Sequence, residues 1–133
     1  MQTDLAPEVV VQAQLDAYNA RDVDAWIATY APDAKQFAYP GVLLASGHAE
    51  IRARIRERFS EENLHARLLK RTVLKTADGA TVIDHESIRR SFPEGPGELE
   101  MVAIYAVAGG LIQSGLFIVG ETRLDAVSAD PAG

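Results

Sequence analysis

The strongest hydrophobic pattern lies near the C-terminal end. Between Gly97 and Glu121, two apolar runs rich in β-branched and aromatic residues flank Gly109-Gly110. Glycine accepts the positive φ of a tight reversal, so the spacing predicts a long antiparallel hairpin. Both runs are too apolar for a sheet with one wet face, so helices, a ligand cavity or another subunit must cover each side. Upstream, Leu64–Thr76 and Thr81–Phe92 read as two further strands joined at Asp78-Gly79, with Pro93 to Gly97 as the loop before the hairpin.

The first half has a helical period instead. Val11, Leu15 and Tyr18 predict a helix over Leu5–Ala20, capped by Thr3 or Asp4, with Pro7 in its first turn. Asn19-Ala20-Arg21-Asp22 is a break. Asp22 then caps a second helix, Val23–Ala31, which Pro32 ends and on which Trp26 and Tyr30 share a face. Ala34–Tyr39 and Val42–Ala45 read as short strands around Pro40-Gly41. Ser46-Gly47 opens a third helix, with Glu50 placed to complete its cap and Ile51, Ile55 and Phe59 as its buried stripe. Arg52, Arg54, Arg56 and Arg58 interleave with Glu50, Glu57, Glu61 and Glu62, which reads as a solvated face rather than an anion site. Three helices followed by a four-strand meander define an α+β fold with an antiparallel sheet.

Composition narrows the function. A chain of 133 residues fits one domain, placed at 1–124, with a small polar tail at 125–133. A net charge of −6 argues against nucleic acid or anionic lipid as partner. The absence of cysteine excludes disulfides and thiol nucleophiles. No run reaches membrane-span length and no basic-then-apolar export segment opens the chain, so a cytoplasmic location is expected.

The most unusual stretch is Asp84-His85-Glu86, three ionisable groups inside a strand. Alternation puts Asp84 and Glu86 on one face and His85 on the other. An acid in an apolar cavity would have a raised pKa and could act as general acid or base. The plainer reading pairs these acids with Arg67, Lys70, Arg71 or Arg89 across the sheet. His48 and His65 read as surface residues, and three histidines on three elements give no metal site. No cofactor motif is present: Ala108-Gly109-Gly110-Leu111 is a turn, not a phosphate loop.

Tyr18-Asn19-Ala20-Arg21-Asp22, Asp24-Ala25-Trp26, Tyr30-Ala31-Pro32-Asp33-Ala34, Gly47-His48-Ala49-Glu50-Ile51-Arg52, Ala103-Ile104-Tyr105 and Gly109-Gly110-Leu111-Ile112 together resemble the nuclear transport factor 2-like superfamily. The likeness is to its SnoaL-like and ketosteroid isomerase-like branch and covers roughly Val9 to Arg123. It implies a cone: a curved mixed or antiparallel sheet wrapped around the three helices, enclosing an apolar pocket for a small molecule, with dimers formed through the outer sheet face. Isomerases of this branch use a carboxylate base, a helix tyrosine and a protonated late-strand acid. These positions fall here at Ala38 or Tyr39, at Gln14 and at Tyr105, so the proton-shuttling set is missing and steroid isomerisation is not expected. The acid of the cyclase branch falls near Glu121, one residue out of register.

The same resemblance turns Asp84 and Glu86 inward. It brings Trp26, Tyr30, Phe37, Phe59 and Phe117 to the pocket, with Tyr18 and Ile55 beside them. Tyr39 and Tyr105 join this group, and a buried phenol needs a hydrogen-bond partner. The function implied is an enzyme without a cofactor, of isomerase, cyclase or hydrolase type, acting on an apolar carbonyl or ring substrate. Asp84 or Glu86 would move the proton and Tyr39 or Tyr105 would polarise an oxygen. A ligand-binding module without turnover and a dimerisation scaffold with a filled interior are the alternatives. An open cavity with an inward carboxylate favours the enzyme.

Overall fold

A computed structural model describes residues 5–125. The elements in chain order are α1 (Pro7–Ala20), α2 (Val23–Ile27), β1 (Tyr30–Ala38), β2 (Val42–Ser46), α3 (Gly47–Phe59), β3 (His65–Thr76), β4 (Gly79–Phe92), β5 (Gly95–Ala108) and β6 (Leu111–Leu124). The strands form one six-stranded sheet in the order β2-β1-β6-β5-β4-β3. It is mixed: β1 runs parallel to β6 and every other pairing is antiparallel. The expected β5–β6 hairpin is present, with Gly109 and Gly110 at φ 61° and 76°, the left-handed pair that a two-residue reversal needs. The outcome is the α+β, cystatin-like fold that the resemblance implied.

Several boundaries differ from the sequence expectation, each for a physical reason. α1 starts at Pro7 with Ala6 at its cap position, and no side chain caps it; Thr3 and Asp4 lie outside the described residues, as does all of the expected tail after Asp125. α2 ends at Ile27, not Ala31. Thr29 Oγ1 donates to the Trp26 carbonyl at 2.7 Å, and Ile112 N donates to the Thr29 carbonyl at 2.8 Å, which draws the chain onto the sheet. Pro32 therefore lies inside β1. It is tolerated because the β1–β6 ladder is interrupted between Tyr30 and Lys35, where no N–H is required. Trp26 and Tyr30 sit on different elements, yet their ring centroids remain 4.5 Å apart. The loop before β5 is shorter than expected, because Gly95 and Gly97 already pair with Phe92 and Arg90.

Helix α3 follows the sequence reading closely. Glu50 Oε1 accepts from Ser46 N at 2.7 Å, and Ile51, Ile55 and Phe59 are buried. α1 and α3 lay their apolar stripes against one face of the sheet, around Val10, Val11, Leu15, Ile51, Ile55, Val82, Ala103 and Ile112. The turn between α1 and α2 is held by Arg21, at φ 56°, whose guanidinium donates to the carbonyls of Glu62 at 3.0 Å and Leu64 at 3.4 Å. On the opposite sheet face, Ile83, Ile104, Leu116 and Phe37 form a half-buried row across β4, β5, β6 and β1. Among the described residues, no helix is long and apolar enough to cross a membrane.

Two glycines make contrasting demands. A Cβ on Gly109 meets nothing within 4 Å, whereas one on Gly79 would lie 1.9 Å from the Val107 carbonyl oxygen. Gly109→Asn keeps the left-handed turn and should change stability by less than about 0.5 kcal/mol. Gly79→Ala forces β4 and β5 apart and should cost about 1–3 kcal/mol. Urea denaturation of both variants checks this; equal midpoints would contradict the register.

Candidate functional site

Strand β4 sets the chemistry. Its alternation turns Ala80, Val82, Asp84, Glu86 and Ile88 inward, and all are buried. The two acids meet different surroundings. Asp84 is fully buried and held by Arg71 of β3, its partner in register: Arg71 Nε donates to Oδ1 at 2.7 Å and Nη2 to Oδ2 at 2.8 Å. Arg71 Nη1 donates onward to Gln12 Oε1 of α1 at 2.9 Å. This paired fork consumes both oxygens of Asp84.

Glu86, two residues on, is 3% exposed and borders a cavity of about 180 Å³ between the sheet, α1 and α3. No side chain among the described residues hydrogen-bonds to its carboxylate. Burial first, and the negative charge of Asp84 second, push its pKa up to about 7, against a smaller opposing pull from Arg71. A carboxyl with this affinity for protons is ionised and protonated in comparable amounts near neutral pH.

The remaining cavity wall has an apolar side and a polar side. Leu15, Trp26, Ile55, Ile88, Leu99, Met101 and Phe117 make the first. On the second, Tyr30 Oη accepts long hydrogen bonds from Gln14 Nε2 at 3.4 Å and Gln36 Nε2 at 3.5 Å. Gln36 Oε1 in turn accepts from Arg54 Nη1 at 2.7 Å. Tyr105 is buried beside Gln14, with its ring edge-on to Phe117 at 6.1 Å. Burial raises the pKa of both phenols, and the nearby acids add to it, so both remain protonated donors at neutral pH. Tyr18 Oη and Trp26 Nε1 are buried with no hydrogen-bond partner.

The structure brings together Glu86, Tyr105, Tyr18, Trp26, Tyr30, Ile55 and Phe117 of the residues singled out in the sequence. It separates the others. Asp84 is sealed beneath the wall with Arg71. Tyr39 is 61% exposed beyond the end of β1 and does not border the cavity, because the strand turns away at Pro40. Phe37 lies on the outer face: alternation in β1 sends Gln36 and Ala38 inward instead. Phe59 is buried but packs edge-on against the Tyr18 ring at 5.5 Å, behind the cavity. Glu121 is exposed at the far end of β6. His85 faces outward and meets Glu100 Oε2 at 3.1 Å. His48 is half-buried, its Nε2 2.8 Å from the Tyr30 carbonyl oxygen, rather than free on the surface.

Four polar lining residues were not expected there: Gln36, Arg54, Arg58 and Arg90; Gln14 stands where the resemblance put the isomerases' helix tyrosine. The arginines correct the reading of α3 as charged only towards water. Arg54 and Arg58 stand one turn apart and adjoin the Ile51–Ile55–Phe59 stripe, so helical spacing already put them at its margin. Arg90 continues the inward alternation of β4 after Glu86 and Ile88.

The chain matches the SnoaL-like domain family over residues 11–114, and it belongs to that family. No curated protein matches it in sequence. Solved structures share the fold. An uncharacterised cystatin-fold protein from Novosphingobium aromaticivorans superposes with a TM-score of 0.73 at 22% identity, over 86% of this chain and 98% of that one. A ketosteroid isomerase-like protein from Catenulispora acidiphila, solved in complex with trimethylamine, gives 0.68 at 19% identity over 85% of both chains. SalBIII, an epoxide hydrolase/cyclase-like enzyme of pyran ring formation in the polyether salinomycin, gives 0.74 at 17% identity over 85% of this chain and 89% of that one. These likenesses concern the fold, which supports several chemistries.

The Asp84–Arg71 pair is needed to keep the floor of the site in place. Arg71→Met should cost about 3–5 kcal/mol, because it strands a buried carboxylate, while Arg71→Met with Asp84→Leu should recover most of that loss. Chemical denaturation of the single and double variants measures it. A double variant no better than the single one would show that the pair is not the source of the cost.

Proposed function

We propose that this SnoaL-like chain is an acid/base catalyst for a small ring or carbonyl compound, with Glu86 as the proton carrier. The observation that carries this reading is the Glu86 carboxyl itself: buried, bordering an open cavity, without a hydrogen-bond partner and held near pKa 7. A group poised near the working pH is effective in both directions of proton transfer. Asp84 acts on it from behind. Its charge raises the proton affinity of Glu86, while its own oxygens are occupied by Arg71.

The step the geometry supports is proton abstraction next to a carbonyl. The Glu86 carboxylate takes a proton from the adjacent carbon, the carbon–hydrogen pair forms the carbon–carbon double bond, the carbonyl π pair moves onto oxygen, and the enolate oxygen receives a hydrogen bond from Tyr105. Return of the proton from Glu86 regenerates the carboxylate: to the same carbon it gives exchange, to a conjugated carbon it gives isomerisation, and where the enolate carbon has instead attacked a second carbonyl of the substrate, the proton goes to that carbonyl's oxygen and the ring is closed. A cavity of about 150 Å³ holds one benzene ring, so the 180 Å³ here suits a single substituted ring or a chain of similar bulk. The cyclase and isomerase names carried by relatives of this fold are consistent with such chemistry.

We also infer that the outer row of Ile83, Ile104, Leu116 and Phe37 is covered by a second copy of the chain. Ile104→Glu should shift the protein to monomer in sedimentation equilibrium with its fold intact; an unchanged mass would rule this face out.

Hydron exchange tests the catalytic reading. A panel of small cyclic ketones in deuterated water, followed by proton NMR, should lose α-protons in the presence of the protein. The rate should rise with pH and level off above about 7, as Glu86 ionises. Glu86→Gln should reduce exchange by about 10²–10⁴-fold. Exchange that survives this substitution would refute the assignment, and ligand-induced shifts without exchange would indicate a binding module.

Stability gives an independent readout. The pKa of Glu86 is raised from an ordinary 4.5 to about 7, so the folded state holds the proton more tightly than the unfolded chain. Its contribution is then least unfavourable below about 4.5, and stability falls as pH rises through the window to about 7. Relative to Glu86→Gln, the wild type should lose about 2 kcal/mol between pH 5 and pH 8. Parallel pH profiles for the two proteins would contradict the raised pKa.

A further inference from the structure

The cationic side of the cavity carries more positive charge than the protein itself neutralises. Arg54, Arg58 and Arg90 all border the cavity and also a neighbouring recess that they share with Glu57 and Glu61. Glu61 is committed to Arg90, accepting from its Nε at 3.1 Å and also from its Nη2. The same carboxylate lies 3.6 Å from Arg58 Nε. Glu57 is exposed on the outer turn of α3. Arg54, half-buried, hydrogen-bonds to the neutral amide of Gln36; burial and the charge of Arg58 disfavour its cation, against an opposing pull from the exposed Glu57. Three guanidiniums therefore face Glu61, Glu57 in water, and Glu86, which borders the same cavity and holds its proton to about pH 7.

The unpartnered Tyr18 hydroxyl lies at the same place. Burial raises its pKa first, Arg58 and Arg90 pull it down and Glu86 adds to the rise; Arg58 stands close enough to donate towards its oxygen, which leaves the hydroxyl proton without an acceptor among the described residues. A buried hydroxyl with no acceptor, near Arg54 with no carboxylate of its own and Arg58 with only a shared and distant one, is a vacant hydrogen-bonding position for a negatively charged oxygen. The arginines cost desolvation energy where they stand, and a carboxylate would offset it with charge-assisted hydrogen bonds.

We propose that the cavity takes an organic acid: an apolar body the size of one ring, bearing a carboxylate that docks at Arg54, Arg58 and the Tyr18 hydroxyl. The apolar body then lies along Trp26, Ile55 and Phe117, with its far end towards Glu86. This rests on the reading of the cavity as a small-molecule site and names the substrate class it selects. It adds a charged group to the apolar carbonyl or ring compound expected from sequence.

Matched probes of equal shape test it. Phenylacetate and its neutral isostere phenylacetamide are titrated into the protein by calorimetry or NMR shift, at low and high salt. The acid should bind at least about tenfold more tightly than the amide, and added salt should weaken the acid alone. Arg54→Gln and Arg58→Gln should each reduce the preference towards unity while leaving amide affinity within about twofold. Arg54→Lys should keep part of the preference, since charge remains and the planar fork is lost. Thermal melting confirms that each variant is folded. Equal binding of acid and amide, a preference unchanged in both glutamine variants, or no binding of either probe at millimolar concentration would overturn the proposal. Equal binding would leave the cavity reading intact. Conversely, an acid preference combined with ketone exchange indifferent to Glu86→Gln would sink the catalytic reading and keep this one.

Discussion

Strand β4 buries two acids and the sheet supplies a bonded cation to only one of them, and the consequences run through the structure. Asp84 and Glu86 are two residues apart, so a strand must place both on the same face. That face is packed against helices, where an isolated carboxylate is expensive. Arg71 resolves the problem for Asp84 by a two-point bond from the neighbouring strand, and its remaining nitrogen reaches α1 through Gln12. Nothing equivalent reaches Glu86. The protein instead leaves a cavity in front of it and lets the carboxyl hold its proton to about pH 7. Fold stability and the proton affinity of Glu86 thus depend on the same register between β3 and β4.

The polar side of the cavity adds a second constraint. Gln14, Tyr30, Gln36 and Arg54 form a connected run from α1 through β1 to α3. It fixes side chains from three elements, and it brings a guanidinium to an otherwise oily space. The cavity is therefore graded, with a proton-holding acid at one part, phenol donors beside it and cations at another. A ligand that matches the gradient is held in one orientation, which is the condition for a positioned proton transfer.

Much of this was legible in the amino-acid order. The Gly109-Gly110 hairpin, the Ile51–Ile55–Phe59 stripe, and the shared face of Asp84 and Glu86 opposite His85 follow from period and turn chemistry, while the family resemblance turns that face inward. Arg71 was among the cross-strand partners that the sequence allowed for these acids. What the sequence could not separate was the fate of the two acids, because that depends on which one Arg71 meets in register. Pattern also misplaced Tyr30 on a helix: Pro32 looks like a helix stop, and only the interrupted β1–β6 ladder shows that it sits in a strand. The resemblance turns Tyr39 and Phe37 inward, whereas the alternation of β1 gives that face to Gln36 and Ala38. Arg54 and Arg58 looked like ordinary solvated charges because their neighbours in sequence are charged as well. Their position at the edge of the apolar stripe was the available clue.

The central claim is that Glu86, uncompensated at the cavity wall, keeps its proton to near neutrality. Carbon-13 NMR titration of the glutamate carboxyl groups, with Glu86 assigned by its loss in Glu86→Gln, measures this directly. The account predicts a midpoint at about 7 for Glu86. A midpoint at the ordinary 4.5 would mean that the carboxylate is already satisfied, and the catalytic reading would fall.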